Sequence, residues 1–277
     1  MKFNIKNTIG ITAFLITQAM SAQFYAGVQY GVGSILSNVP QTSSGYRPGA
    51  WLKGGYIYSL TSHIGIGSGL EFAQYKQEVR SRNSSVSSSN YQVDASTSSF
   101  LYTLSADNYK EKQTLQALQV PVFLAYKTTI NKGIDFNFRA GVKYFLPLEY
   151  KIDVTANNVK GTGYYPDVNL SIEELAQYGF GTQGSYSESG EYQTRSIVMS
   201  MFEMGFTFDT GKKNALYVAM FFEKGCGSIL KQDKEESYIG YNASSATQRT
   251  ANGLYSIHKN ANIRPVGFGL TLGWVFK

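Results

Sequence analysis

Eight stretches of this chain alternate between bulky apolar residues and small or polar ones, and over most of each stretch charge is confined to the second set. Period-two alternation marks strands whose two faces meet different surroundings. The stretches are 24–35, 50–60, 64–79, 115–127, 134–148, 197–208, 215–229 and 263–276. In the last, Val266, Phe268, Leu270, Leu272, Trp274 and Phe276 alternate with Gly267, Gly269, Thr271 and Gly273. Lys53, Glu71, Arg139, Lys143, Glu203 and Glu223 all fall on the glycine-bearing parity. The bulky parity carries no charge within about nine positions of a tight turn on any strand. A lipid-facing exterior imposes this pattern, because a charge at the bilayer midplane costs about 2–4 kcal/mol.

The connections support the same reading. The links 61–63, 128–133 and 209–214 are short, whereas 37–49, 80–112, 151–195 and 231–261 are long and polar. Short turns at one end and long loops at the other is the layout of a transmembrane barrel, with the short turns periplasmic. The expected fold is all-β: an eight-stranded antiparallel up-and-down transmembrane β-barrel with long extracellular loops. Pro121 lies inside an interior strand and predicts a local bulge, since proline cannot donate to a ladder. The link 80–112 holds nine serines between 81 and 99 and is read as mobile or as an extension of its hairpin. Within 171–179, Ser171 and Glu174 fit a capping box and Gly179 fits a helix stop, which predicts one short surface helix.

The six charges share a depth. They sit five to nine residues above the short turns, and ~3.3 Å of rise per residue at a tilt near 45° gives roughly 2.3 Å of height each. They form a belt near the bilayer middle, joined by Gln29, Gln119 and Thr271. Such a belt serves either an ion path or a structural plug. Three cations balance three anions, and an eight-stranded barrel is just wide enough to be filled by side chains, which favours the plug.

Composition agrees. Tyr (21), Phe (17) and Gly (28) are abundant, as twisted strands with interfacial aromatics require. Tyr56, Tyr58, Tyr126 and Trp274 fit the lower girdle, Tyr30 and Tyr144 the upper. No apolar run beyond the N-terminus reaches the length of a membrane helix. The N-terminus reads as a signal peptide, 1–22: Lys2 and Lys6, an apolar run from Ile9 to Met20, then Ser21-Ala22 before Gln23, with cleavage after Ala22. The mature domain is then 23–277. Losing Lys2 and Lys6 lowers the net charge from +6 by two to +4, which does not argue for a nucleic-acid partner. Cys226, the one cysteine, has no intramolecular partner and falls on the lipid-facing parity.

Catalysis is not expected. There are two histidines, His63 in a tight turn and His258 in the last long link; Ser256 lies near His258 without an evident acid. No metal-ligand set and no phosphate loop is evident, and no cofactor is expected.

Three segments resemble the PorT-like outer-membrane β-barrel family of Bacteroidetes-type bacteria. They are the run Leu118 to Tyr126 with Pro121 inside it, the run Phe138 to Leu146, and Gly269 to Phe276. The signal ending at Ser21-Ala22-Gln23 is also typical of such proteins. The resemblance implies an outer-membrane location, insertion by the barrel-assembly machinery and eight strands; one member of the family serves type IX secretion. It carries over no catalytic residue. The expected role is a non-enzymatic integral outer-membrane protein acting through its loops or wall. Its partners would be outer-membrane lipids and a protein in the membrane or at the cell surface. An accessory part in secretion and a narrow solute or ion channel are the alternatives.

Overall fold

The computed structural model describes residues 22–39, 42–81, 85–211, 214–231, 235–242 and 245–276. The expected signal peptide lies outside them up to residue 21. No described helix is long and apolar enough to cross a membrane. In chain order the strands begin with β1 (Ala22–Ser37), β2 (Thr42–Ser59), β3 (Ile64–Ser81), β4 (Ser85–Val93), β5 (Ser99–Asn131) and β6 (Ile134–Tyr165). They continue with β7 (Leu170–Ile172), β8 (Gly181–Glu191), β9 (Ile197–Asp209) and β10 (Asn214–Gly225). The last are β11 (Ile239–Asn242), β12 (Ser245–Ala251) and β13 (Ile263–Phe276).

Eight of these strands close into an antiparallel ring. The order is β1, β2, β3, β5, β6, β9, β10, β13, and β13 returns to β1 in unbroken register from Phe24↔Phe276 to Ser37↔Ile263. Closure removes free edges from the ring.

One side of the ring rises further. β5 pairs with β3 up to Arg80↔Lys110, then with β4 from Ser85↔Asp107. β6 pairs with β9 below and with β8 above, from Lys151↔Glu191. Thus β4, β5, β6 and β8 form a sheet extending beyond the ring. The long connection between β10 and β13 packs on it. Tyr238 donates to the Val86 carbonyl (3.0 Å), and the Arg249 guanidinium reaches the carbonyls of Gly179 (3.2 Å) and Gly181 (3.3 Å).

Three expectations need correction. The link 37–49 is largely strand, since β1 reaches Ser37 and β2 starts at Thr42; the link 80–112, by contrast, extends its hairpin, the second of its two readings, with β4 paired to β5. The helix expected at 171–179 is a single 3-10 turn, Ala176–Tyr178, with no side-chain cap. Ser171 instead pairs with Tyr164 in β7, which removes it from the capping position. Gly179 does end the turn, in the left-handed region at φ 77. Pro121 makes no bulge. Its register is unshifted toward both neighbours, although the ladder to β3 skips from Ser68↔Val122 to Glu71↔Gln119. The Ser68 hydroxyl donates to the Pro121 carbonyl (2.8 Å), so a side chain supplies a bond where the ladder lapses. Register shifts fall instead beside Pro48 in β2, where Pro147 meets Ala117, and further along β5.

Inside, an apolar layer around Tyr25, Phe123, Met201 and Tyr217 lies toward the tight turns. A larger one runs from Trp51, Tyr75 and Phe145 into the extension, through Tyr150, Tyr192 and Tyr255. Glycine makes room for these rings. A Cβ on Gly67 would come within 2.4 Å of the Phe123 ring. Gly67→Val is therefore expected to lower stability by about 1–3 kcal/mol through overpacking. Gly54→Ala, whose Cβ would sit 3.6 Å from its nearest neighbour, is expected to be near neutral. Urea unfolding of the two variants in the same detergent checks the contrast.

Candidate functional site

The six charges expected to form a belt all point into the ring and are buried, with exposures from 0 to 5%. Strand pairing sets Lys53 opposite Glu71 and Arg139 opposite Glu203, whereas Lys143 lies opposite Pro121 and Met199 and reaches its anions on β3 and β10. The resulting contacts form two clusters.

Glu203 centres the first. It accepts from Lys53, from Arg139 (3.0 Å), from Gln29 (3.0 Å), from Thr271 (2.8 Å) and from the Tyr217 hydroxyl (3.0 Å). Arg139 also lies over the Tyr217 ring at 4.3 Å and the Tyr25 ring at 5.1 Å. These aromatic faces add cation–π attraction in place of water. Lys143 centres the second. It pairs with Glu71, with Glu223 (2.6 Å) and with the Gln119 amide oxygen (3.1 Å). Glu223 also accepts from the Trp51 indole (2.9 Å) and from the Tyr75 hydroxyl.

The first cluster has two cations on one carboxylate, the second two carboxylates on one cation, so their charges cancel. Each ion gains charge-assisted bonds that offset lost hydration. The arrangement therefore fills the ring rather than leaving a charged vestibule. Trp51 closes the upper side, edge-on to Tyr75 (5.4 Å) and Phe221 (5.0 Å).

A second polar layer, above the first, was missed from the sequence. Glu111 is fully buried and accepts from Tyr109 (2.8 Å), Tyr192 (2.8 Å), Gln113 (2.5 Å) and the Leu254 backbone N–H (2.9 Å). Burial, with the Glu111 charge beside them, pushes the Tyr109 and Tyr192 hydroxyls above the ordinary tyrosine range, so both remain donors. Gln77 links Gln113 (2.6 Å) to Tyr255 (2.9 Å). The layer ties the connection between β10 and β13 to the inner face of the extension. The signal was alternation of Tyr109, Glu111, Gln113 and Leu115, hidden where a polar link was expected.

The remaining candidates stay apart. Ser62 and His63 meet (2.8 Å) on an exposed tight turn, and Ser256 donates to the Asn252 carbonyl (2.6 Å). Cys226 is exposed. Among the described residues no group of three or more His, Cys, Asp or Glu side chains could hold a metal.

No protein-family model matches the chain, and no curated protein matches it. Among solved structures it is similar to Neisserial surface protein A (9% identity, 92% of this chain and 96% of that one, TM-score 0.36). It is also similar to the attachment invasion locus protein Ail of Yersinia pestis (11%, 93% and 100%, TM-score 0.27). A third is the outer membrane protease OmpT of Escherichia coli (10%, 92% and 96%, TM-score 0.31). The fold described above rests on the strand pairing, not on these likenesses.

Glu203→Ala strands two buried cations, so it is expected to cost about 3–5 kcal/mol, read as a lowered unfolding midpoint. Glu111→Ala is expected to act locally. It should raise protease cleavage between 245 and 262 while leaving the ring's heat-modified gel mobility unchanged.

Proposed function

We propose that this chain is an integral outer-membrane β-barrel with a sealed lumen, acting as a non-enzymatic interaction component through its wall and its raised sheet. The buried belt carries the reading. Its six charges are held inside while the outer face of the ring is apolar: Phe24, Leu52, Leu70, Leu124, Leu270 and Phe268 are all exposed. An apolar surface encircling a ring far exceeds the few hundred Å² that a soluble monomer usually shows, and lipid is the solvent that suits it. The tight turns then face the periplasm and the extension faces the outside. Insertion would rely on the barrel-assembly machinery, and no cofactor is involved.

The resemblance of the runs Leu118 to Tyr126 and Phe138 to Leu146 to PorT-like barrels favours a second reading, an accessory part in protein secretion. A channel is disfavoured by two clusters of opposite net charge that cancel each other and fill the ring.

Two measurements test this. In a Cys226→Ser background, Ser96→Cys is expected to react with an impermeant maleimide on intact cells, and Ser62→Cys only after permeabilisation. The purified protein is expected to be silent in planar bilayers; steady conductance steps would overturn the sealed lumen.

A further inference from the structure

The outward face of β3, β5 and β6 changes character abruptly above its apolar band. The last bulky positions, Phe72 and Leu118, pair across β3 and β5, and on β6 the band ends at Leu146 and the exposed Leu148. The next rung is uncharged on two strands and acidic on the third: Gln74, Gln116 and Glu149 pair in a row. Three rungs of mostly charged residues follow. They are Lys76, Thr114 and Lys151; then Glu78, Lys112 and Asp153; then Arg80, Lys110 and Thr155. With ~4.8 Å between strands and ~6.8 Å between alternate residues, this patch covers roughly 10 by 14 Å.

Its charge is organised. Glu78 is paired by Arg47, by Arg80 (2.6 Å) and by Lys110 (3.2 Å). The Glu78 side chain is 8% exposed while that of Arg80 is 61% exposed, so the carboxylate is covered and the cations remain outermost. Lys76 and Lys112 are exposed and form no ion pair among the described residues. Arg47 and the five cations of the three rungs face Glu78, Asp153 and Glu149, with Glu191 opposite Lys151 and Glu188 beside Lys110 and Lys112, so the patch keeps a small positive excess that lies on the β3 and β5 side. Beside it lies an open cleft of about 540 Å³ lined by Lys110, Lys112, Thr155, Ser187 and Ser189 together with the carboxylates Asp153 and Glu188.

We infer that this patch binds the phosphate groups of phosphorylated lipids in the outer leaflet, with acyl chains lying on the apolar band below. The inference rests on the outer-membrane reading above. Its location carries it: the cations sit at the edge of the apolar band, on the side where the sheet continues outward. Flexible lysines at a membrane boundary reach phosphate while their methylenes cover apolar surface. The hydroxyls of Thr155, Ser187 and Ser189 suit a sugar headgroup.

The test uses the mature chain in neutral detergent, titrated with a bisphosphorylated glucosamine-disaccharide lipid, its monophosphorylated form or phosphatidylcholine, with bound lipid counted by native mass spectrometry. The bisphosphorylated lipid is expected to bind best and to weaken with added salt. The triple variant Lys76→Gln, Lys112→Gln, Lys151→Gln is expected to lose at least about tenfold in affinity. The same three positions changed to Arg should retain binding, and Lys132→Gln, in an exposed tight turn at the far end, should bind like the wild type. Equal binding of phosphatidylcholine, or no loss in the triple variant, overturns the patch. Displacement by equimolar inorganic phosphate also overturns it, since the site would then serve a free anion. If Ser96→Cys is labelled on cells yet the triple variant binds normally, the barrel reading stands and only the patch falls. If that labelling fails, both fall.

Discussion

Buried charge pairing is the constraint on which the rest of this molecule depends. A ring of eight strands has room inside for side chains and little else. Six ionisable groups placed there need partners at hydrogen-bond distance, because the interior supplies too little water to hydrate them. The ladders meet this need by bringing Lys53 and Arg139 to Glu203, and Glu71 and Glu223 to Lys143. A slip of one residue in any of these ladders would turn charges outward and bulky residues inward. The ion network therefore works against misregister as much as for stability.

The interior is layered as a result. Aromatic rings lie below the belt, Trp51 and Tyr75 lie above it, and a second polar layer around Glu111 follows. Each polar layer is bounded by apolar ones, which limits competition from water for its bonds. The upper layer differs in kind from the belt: its carboxylate is held by hydroxyls, an amide and a backbone N–H rather than by a cation. That donor set joins strands of the ring's extension to Leu254, 143 positions further along the chain than Glu111.

Much of the ring was legible in the sequence, because one parity bears the charges and the other bears the bulk. The parity of Lys53 or Glu223 follows from counting alone. Partner choice does not. That Lys143 bridges Glu71 and Glu223, rather than meeting Glu203, depends on tilt and stagger that no local pattern encodes. The extension was obscured for a different reason. Neither serine nor asparagine is among the residues enriched in strands, so the segment from Ser85 to Val93 read as a link although its neighbour Phe100 to Leu104 supplies a ladder. Pro121 misled because the rule for proline concerns the missing N–H, and Ser68, on the next strand, supplies a hydroxyl close to the break.

The uninterrupted length of β5 and β6 has a mechanical consequence. Each runs without a break from the tight turn between them to the far end of the raised sheet, whereas the strand flanking β6 is split, β9 from β8. A pair of continuous strands behaves as a beam. A load applied at the far tip would therefore be carried down β5 and β6 into the wall that holds Gln119, Arg139 and Lys143. The raised sheet is in this sense an arm rooted in the ring's own wall, not a separate piece hinged upon it.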